Sequence, residues 1–287
     1  MSHRWPQRIR PLWPNAGPYG PLLLLPMGFL AAFFVVPILL LLQSSFTEPV
    51  FGLQHYRLLL DSVGLQRTFL NTFKLAALTT LFAVVVAYLL AYAIVHLTGF
   101  WSSILIAAVV FCFWVSALIR ALAWLMLLGS NGPVNSALLQ WGLVDAPLRL
   151  IHSDLGVLIG MVHFTIPVAV LPMVAQMKGI DRRILMAAQS IGAGAVTRFV
   201  RVYLPLSLPG VEAAATFAFI LGLGFYIIPS LLGSGQNTVI SEYISAQVLD
   251  YARWGPAAMS GVVLLVSTSL VLAVARRLFG IRLDRVK

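Results

Sequence analysis

Apolar residues along this chain come in long unbroken runs, separated by short polar patches, and not in the alternating patterns that give a helix or strand one buried face. Six stretches, 20–43, 71–96, 102–128, 155–177, 210–232 and 258–279, are long enough to cross about 30 Å of hydrocarbon at about 1.5 Å per residue. They predict an all-α polytopic membrane protein with six transmembrane helices. Arg4, Arg8 and Arg10 precede the first run, as in a secretory leader. The run is longer than a leader's apolar region and no small-x-small cleavage site follows, so it reads as a retained span.

Composition agrees: 60% of the 287 residues are hydrophobic and 10% charged, and the mean hydropathy is +0.94. A water-soluble enzyme is excluded. The net charge of +10 would suggest nucleic acid in a soluble chain, but here the basic residues report orientation. Most of the 19 Lys and Arg fall in the N-terminus, the 178–209 loop (Lys178, Arg182, Arg183, Arg198, Arg201) and the tail (Arg276, Arg277, Arg282, Arg285, Lys287). The positive-inside rule then places both termini in the cytoplasm. The acids Glu48, Asp61, Asp145, Asp154, Glu242 and Asp250 gather on the other side, as solvated loop surface or as attraction for a cationic partner. Cys112 is the one cysteine and forms no intrachain disulfide. The chain reads as one membrane domain: a cytoplasmic segment 1–19, a six-span unit 20–280 and a cytoplasmic tail 281–287.

The 178–209 loop carries the chemistry. Asp181 is a helix N-cap, and Ile184, Leu185, Ala188 and Ile191 recur at helical spacing, so a short amphipathic helix is expected over 182–191, stopped by Gly192 and Gly194. A second helix over 195–203 puts Val196, Phe199, Val200 and Tyr203 on one face and Arg198 and Arg201 on another, before Pro205 and Pro209 break the chain. The element 181–205 is too apolar for a free loop and too short to span. It suits docking in a partner's groove, with small Ala187 and Ala188 allowing close approach.

The run Met186-Ala187-Ala188, Gly192, Val202-Tyr203-Leu204-Pro205 resembles the EAA coupling motif, EAA-x3-G-x9-I-x-LP, of permease subunits in binding-protein-dependent type I ABC importers, with every spacing kept. The segments Phe113–Arg120, Gly132 with Asn135, Gly224–Pro229 and Leu232-Gly233 are similar to the spermidine/putrescine-type (PotB-like) branch. The motif's acidic first residue is Met186 here, so any polar contact of the usual glutamate is absent or replaced.

That resemblance implies an inner-membrane, non-catalytic transport subunit forming half of a translocation path. It implies a partner dimer of ATP-binding subunits, a second PotC-like permease and an extracytoplasmic substrate-binding protein. Its ATPase-coupling residues would be Met186, Ala187, Ala188, Gly192, Val202, Leu204 and Pro205. The chain itself holds no Walker A loop, since Lys74, Lys178 and Lys287 lack the glycine and Ser/Thr neighbours, so ATP and Mg²⁺ belong to the partner. No cofactor, metal or nucleic acid is expected; the other contacts are membrane lipid and a small-molecule substrate.

Inside the spans, Gly222, Gly224 and Pro229 weaken the middle of the fifth, the kind of interruption found where a helix bends around a path, with Tyr226 as a wall residue able to hold an ammonium by cation–π attraction. Arg120, counted along a straight third helix, falls about 27 Å from its start and would snorkel to the outer surface or line the path. Glu212 is expected in the first turn of the fifth span, and His163 as an interhelical donor. A secondary transporter would need paired intramembrane charges and inverted repeats, and a membrane enzyme a clustered His, Cys, Asp or Ser set; His3, His55, His96, His152 and His163 are scattered. Polyamines are the expected substrate, with another amine, an opine, an organophosphonate or an inorganic ion as the alternatives.

Overall fold

A computed structural model describes residues 20–283 apart from 49 and 236. The expected cytoplasmic segment 1–19, with Arg4, Arg8 and Arg10, and residues 284–287 lie outside the described residues. Every described element is helical. The first span is α1 (Gly20–Leu30), a π-helical turn (Ala31–Val35) and α2 (Val36–Thr47), followed by the short α3 (Gln54–Asp61). The second is α4 (Val63–His96). The third is split into α5 (Phe100–Trp114) and α6 (Ala117–Leu127), with α7 (Pro133–Gln140) after it. The fourth is α8 (Asp154–Lys178), and a hairpin of α9 (Arg182–Ser190) and α10 (Ala195–Arg198) leads through a π turn (Phe199–Tyr203) into the fifth, α11 (Leu204–Leu223). Then come α12 (Ile227–Leu232), α13 (Ile240–Leu249) and the sixth span, α14 (Trp254–Leu283). Five helices are long and apolar enough to cross a membrane, and six if the bent pair α5–α6 counts as one span. The expected six-span, all-α architecture is present.

Three spans differ from the sequence reading. The second span starts at Val63, not 71, because Ser62 caps it, its side chain accepting the Leu65 N–H, and the polar turn through Gln66 and Arg67 stays helical beyond the apolar run. The third span is not straight: Val115 and Ser116 are extended and the axis turns by 99°. The fifth span ends at Leu223, so 210–232 joins two separate helices. Nor does the chain break at Pro205 or Pro209. Ala195–Leu223 runs as one apolar span, because the π turn carries Leu204 N–H to the Phe199 carbonyl and puts Pro205 in the first turn of α11, where a missing N–H costs little.

The core is a three-helix contact among α4, α8 and α11. Its residues are small: Ala76, Ala83, Ala87 and Ala91 from α4, Ala169 from α8, and Ala214, Ala218 and Gly222 from α11 are all buried. Without an apolar driving force between helices in lipid, close backbone approach and dense packing hold such a bundle. At Gly222 a Cβ would lie 3.1 Å from Ala76 Cα and 3.2 Å from Ala76 Cβ, so the neighbour in the way is main chain. Gly222→Val is therefore expected to destabilise the subunit by about 1–3 kcal/mol, read as a lower melting temperature in detergent. Wild-type melting of that variant would mean α4 and α11 are not closely packed.

Candidate functional site

The hairpin stands at one end of the bundle. Asp181 caps α9, its Oδ1 accepting the Arg183 N–H at 2.8 Å, and the reversal is made at Gly192 with φ of +85°. Arg198 Nη1 donates to Gln189 Oε1 at 2.6 Å and ties the two arms together. On the inward side Leu185 and Phe199 pack on the α4–α8–α11 core. Tyr92 stacks on His96 and meets Phe199 and Tyr203 edge-on, at centroid distances of 5.7 and 5.3 Å. Tyr88 and Ser207 hydroxyls share a hydrogen bond of 3.0 Å. The outward side is bare: Ile184, Met186, Ala187, Ile191, Val196 and Val200 are exposed, Ile191 at 87%. An amphipathic element thus rides on the bundle and shows a second apolar face to whatever lies beyond.

Met186, Ala187 and Gly192 are on the exposed side of the hairpin, Ala188 is half-buried, and Val202, Leu204 and Pro205 sit half-buried where the hairpin becomes α11. They lie along one continuous stretch, in which the hairpin runs through the π turn into the fifth span.

A second cluster lies toward the opposite end, around the two breaks. Arg120, in the first turn of α6, is 8% exposed, and its guanidinium stacks over Phe164 of α8 with Cζ 3.9 Å from the ring centroid. Phe164 meets Phe225 edge-on at 5.1 Å. Nε and Nη1 of Arg120 are buried without a hydrogen-bond partner. The snorkelling expected of Arg120 is overturned, because the 99° bend turns α6 across the bundle and invalidates a height counted along a straight helix. His163 is not a donor to its helical neighbour: Trp124 Nε1–H donates to His163 Nδ1 at 3.2 Å. Glu212 is about two turns into α11, not in its first turn.

Gly224 ends α11, and Gly224 and Tyr226 are exposed on either side of buried Phe225, whose carbonyl, freed by the break, accepts the Ser241 hydroxyl. Pro229 is buried in α12, which packs on α6. Arg120, Gly224, Tyr226 and Pro229 therefore share one region, with Gly224 and Tyr226 open and Arg120 and Pro229 behind them. Asn135 is a clamp: its amide donates to the Gly129 and Leu148 carbonyls and accepts the Leu148 N–H. Phe164, Trp124 and the Tyr88, Tyr92 and His96 side of the aromatic knot are missing from the sequence reading. Tyr88, Tyr92 and His96 do recur every four residues, which is one helix face.

Broken spans surround a small-residue bundle, with an apolar hairpin riding between the fourth and fifth, and this arrangement is shared with the membrane subunits of ABC transporters. A bacterial alginate ABC transporter, solved in complex with an alginate pentasaccharide-bound periplasmic protein, superposes with a TM-score of 0.76 over 93% of this chain and 96% of that one, at 23% identity. In sequence, the spermidine/putrescine transport system permease PotB of Escherichia coli K12 is 28% identical over 256 residues, 86% of this chain and 93% of PotB. The 2-aminoethylphosphonate transport system permease PhnU, so described for Salmonella paratyphi A, is 27% identical over 233 residues, 79% of this chain and 80% of PhnU. No family model matches the chain. The chain is thus similar over most of its length to permease subunits of the PotB-like branch of ABC importers, and it shares the fold of the alginate transporter chain.

Proposed function

We propose that this subunit forms half of the translocation path of an ATP-driven importer for polyamines, putrescine or spermidine. The observation that carries the reading is the exposed apolar hairpin with EAA spacing, in a chain similar to PotB over 86% of its length. Met186, Ala187, Ala188 and Gly192 would seat in a groove of a partner ATPase dimer, which binds ATP and Mg²⁺ and hydrolyses the nucleotide. Val202, Leu204 and Pro205 would pass the motion into α11. ATP closes the dimer, the hairpin moves with it, and the spans rock between access to one side and the other. Both termini and the hairpin are cytoplasmic in this reading, as the excess of Lys and Arg there favours. The domain is the six-span unit 20–280 with element 181–205 inside it.

A second PotC-like permease would supply the other half of the path, and an extracytoplasmic binding protein would deliver substrate. Exposed Tyr226 beside the Gly224 break offers a ring face worth about 0.5–2 kcal/mol to a passing ammonium, enough for transit and too little for tight binding. Selectivity then rests mainly with the binding protein. One observation favours a second reading: the buried, unpaired guanidinium of Arg120 near Tyr226 repels cations and suits a substrate that also carries an anionic group, such as an aminophosphonate.

The test is ATPase activity of the reconstituted importer with its binding protein loaded with putrescine, spermidine or neither. Stimulation that requires a polyamine is expected. Stimulation by 2-aminoethylphosphonate alone would move the assignment to the second reading.

A further inference from the structure

Between α4, α11 and α14 runs a groove of about 410 Å³. It exists because α14 touches α11 at few places, whereas α4 and α11 pack closely along their lengths. Ala77, Leu81, Val84, Phe219, Val271 and Leu272 make its walls apolar. Its charged residues, Glu212 and Arg276, both sit toward the end that faces the hairpin, and no ion pair joins them. Along α11 the lining extends from Val211 to Phe219, about 12 Å at 1.5 Å per residue, close to the depth of one leaflet, about half of 30 Å. The groove is thus one leaflet deep, apolar inside, and carries one fixed charge of each sign at its interfacial end.

We propose that this groove holds a phospholipid whose headgroup bears both a phosphate and a primary ammonium, the ethanolamine class. The phosphate meets the Arg276 guanidinium, the ammonium donates to the half-buried Glu212 carboxylate, and an acyl chain lies along Leu81, Phe219 and Val271. A carboxylate at this depth is costly unless paired. A glycerol headgroup offers it no cation, and a choline headgroup offers a cation with no N–H to donate. The ethanolamine headgroup satisfies both side chains at once. The site lies apart from the region of Arg120 and Tyr226, and the inference holds whichever substrate the importer carries.

Native mass spectrometry of the full-length subunit, extracted from vesicles of equal phosphatidylethanolamine and phosphatidylglycerol, tests it. One retained phosphatidylethanolamine, favoured at least fivefold, is expected. Glu212→Gln should bring the two lipids to parity, Glu212→Asp should restore the preference, and Arg276→Gln should lower retention of both. Ala215→Trp fills the groove with both charges in place and should remove the bound lipid. Phosphatidylglycerol retained in preference, an unchanged ratio in Glu212→Gln, or unchanged retention in Ala215→Trp would overturn the proposal. So would loss of the lipid from the subunit assembled with its second permease, which would mean that a protein helix occupies the groove.

Discussion

Gly192→Val is expected to abolish energised uptake, by tenfold or more, while the subunit still reaches the membrane in normal amounts. Gly192 holds φ of +85° at the hairpin turn, a conformation that a β-branched residue adopts only under strain. A Cβ at Gly192 would meet no atom within 4 Å, so the substitution creates no clash and its whole effect falls on the backbone. Strain of about 1–3 kcal/mol shifts the population with the native angle between α9 and α10 by about five- to 150-fold. The bundle, anchored by Tyr92, Phe199 and Tyr203, is not involved. Gly192→Asn, which tolerates positive φ better, should keep most activity. Uptake assays paired with a membrane-fraction immunoblot decide it, and normal uptake by the valine variant would remove the hairpin from coupling.

Arg120→Met should separate stability from transport. A buried charge with Nε and Nη1 unpaired is a liability that the stack on Phe164 only partly offsets. An apolar side chain of similar length removes the cost of burying an unpaired charge and keeps a contact on the ring. The methionine variant should therefore melt at or above the wild-type temperature. Its uptake should nevertheless fall tenfold or more if the substrate carries an anionic group that meets the guanidinium, as in the aminophosphonate reading, whereas polyamine uptake should hold or rise once the repelling charge is gone. Arg120→Lys should fail to rescue, since an ammonium lacks the planar face that stacks on an aromatic ring. A methionine variant with wild-type aminophosphonate uptake would sink that reading; one that is unstable would make Arg120 structural.

What the sequence discloses here follows what depends on single residues. Gly192, Asp181 and the Gly224 interruption are conformational punctuation, and each stands where the composition put it. The six apolar runs are equally plain, because hydrocarbon thickness imposes their length. The break at Val115 and Ser116 was invisible, since neither residue is glycine or proline and the bend is imposed by α6 packing on α12 and α8. With the bend hidden, a count along a straight helix puts Arg120 too close to the surface. The straight passage through Pro205 was hidden for a similar reason: a proline announces a missing N–H, but not that a π turn will absorb it. Which residues touch Arg120 depended on tertiary contacts that no local pattern encodes.

The split third span has a consequence for the bilayer itself. Even standing upright, α5 with its 15 residues would reach only about 22 Å, short of a hydrocarbon layer about 30 Å thick. Lipid in contact with that helix would have to thin by several ångströms, at a cost of fractions of a kcal/mol per ångström of hydrophobic mismatch. The exposed rings of Phe111, Phe113 and Trp114 stand on this short helix. Wherever a neighbouring protein helix replaces lipid there, the deformation is relieved, so membrane elasticity alone favours crowding of that flank.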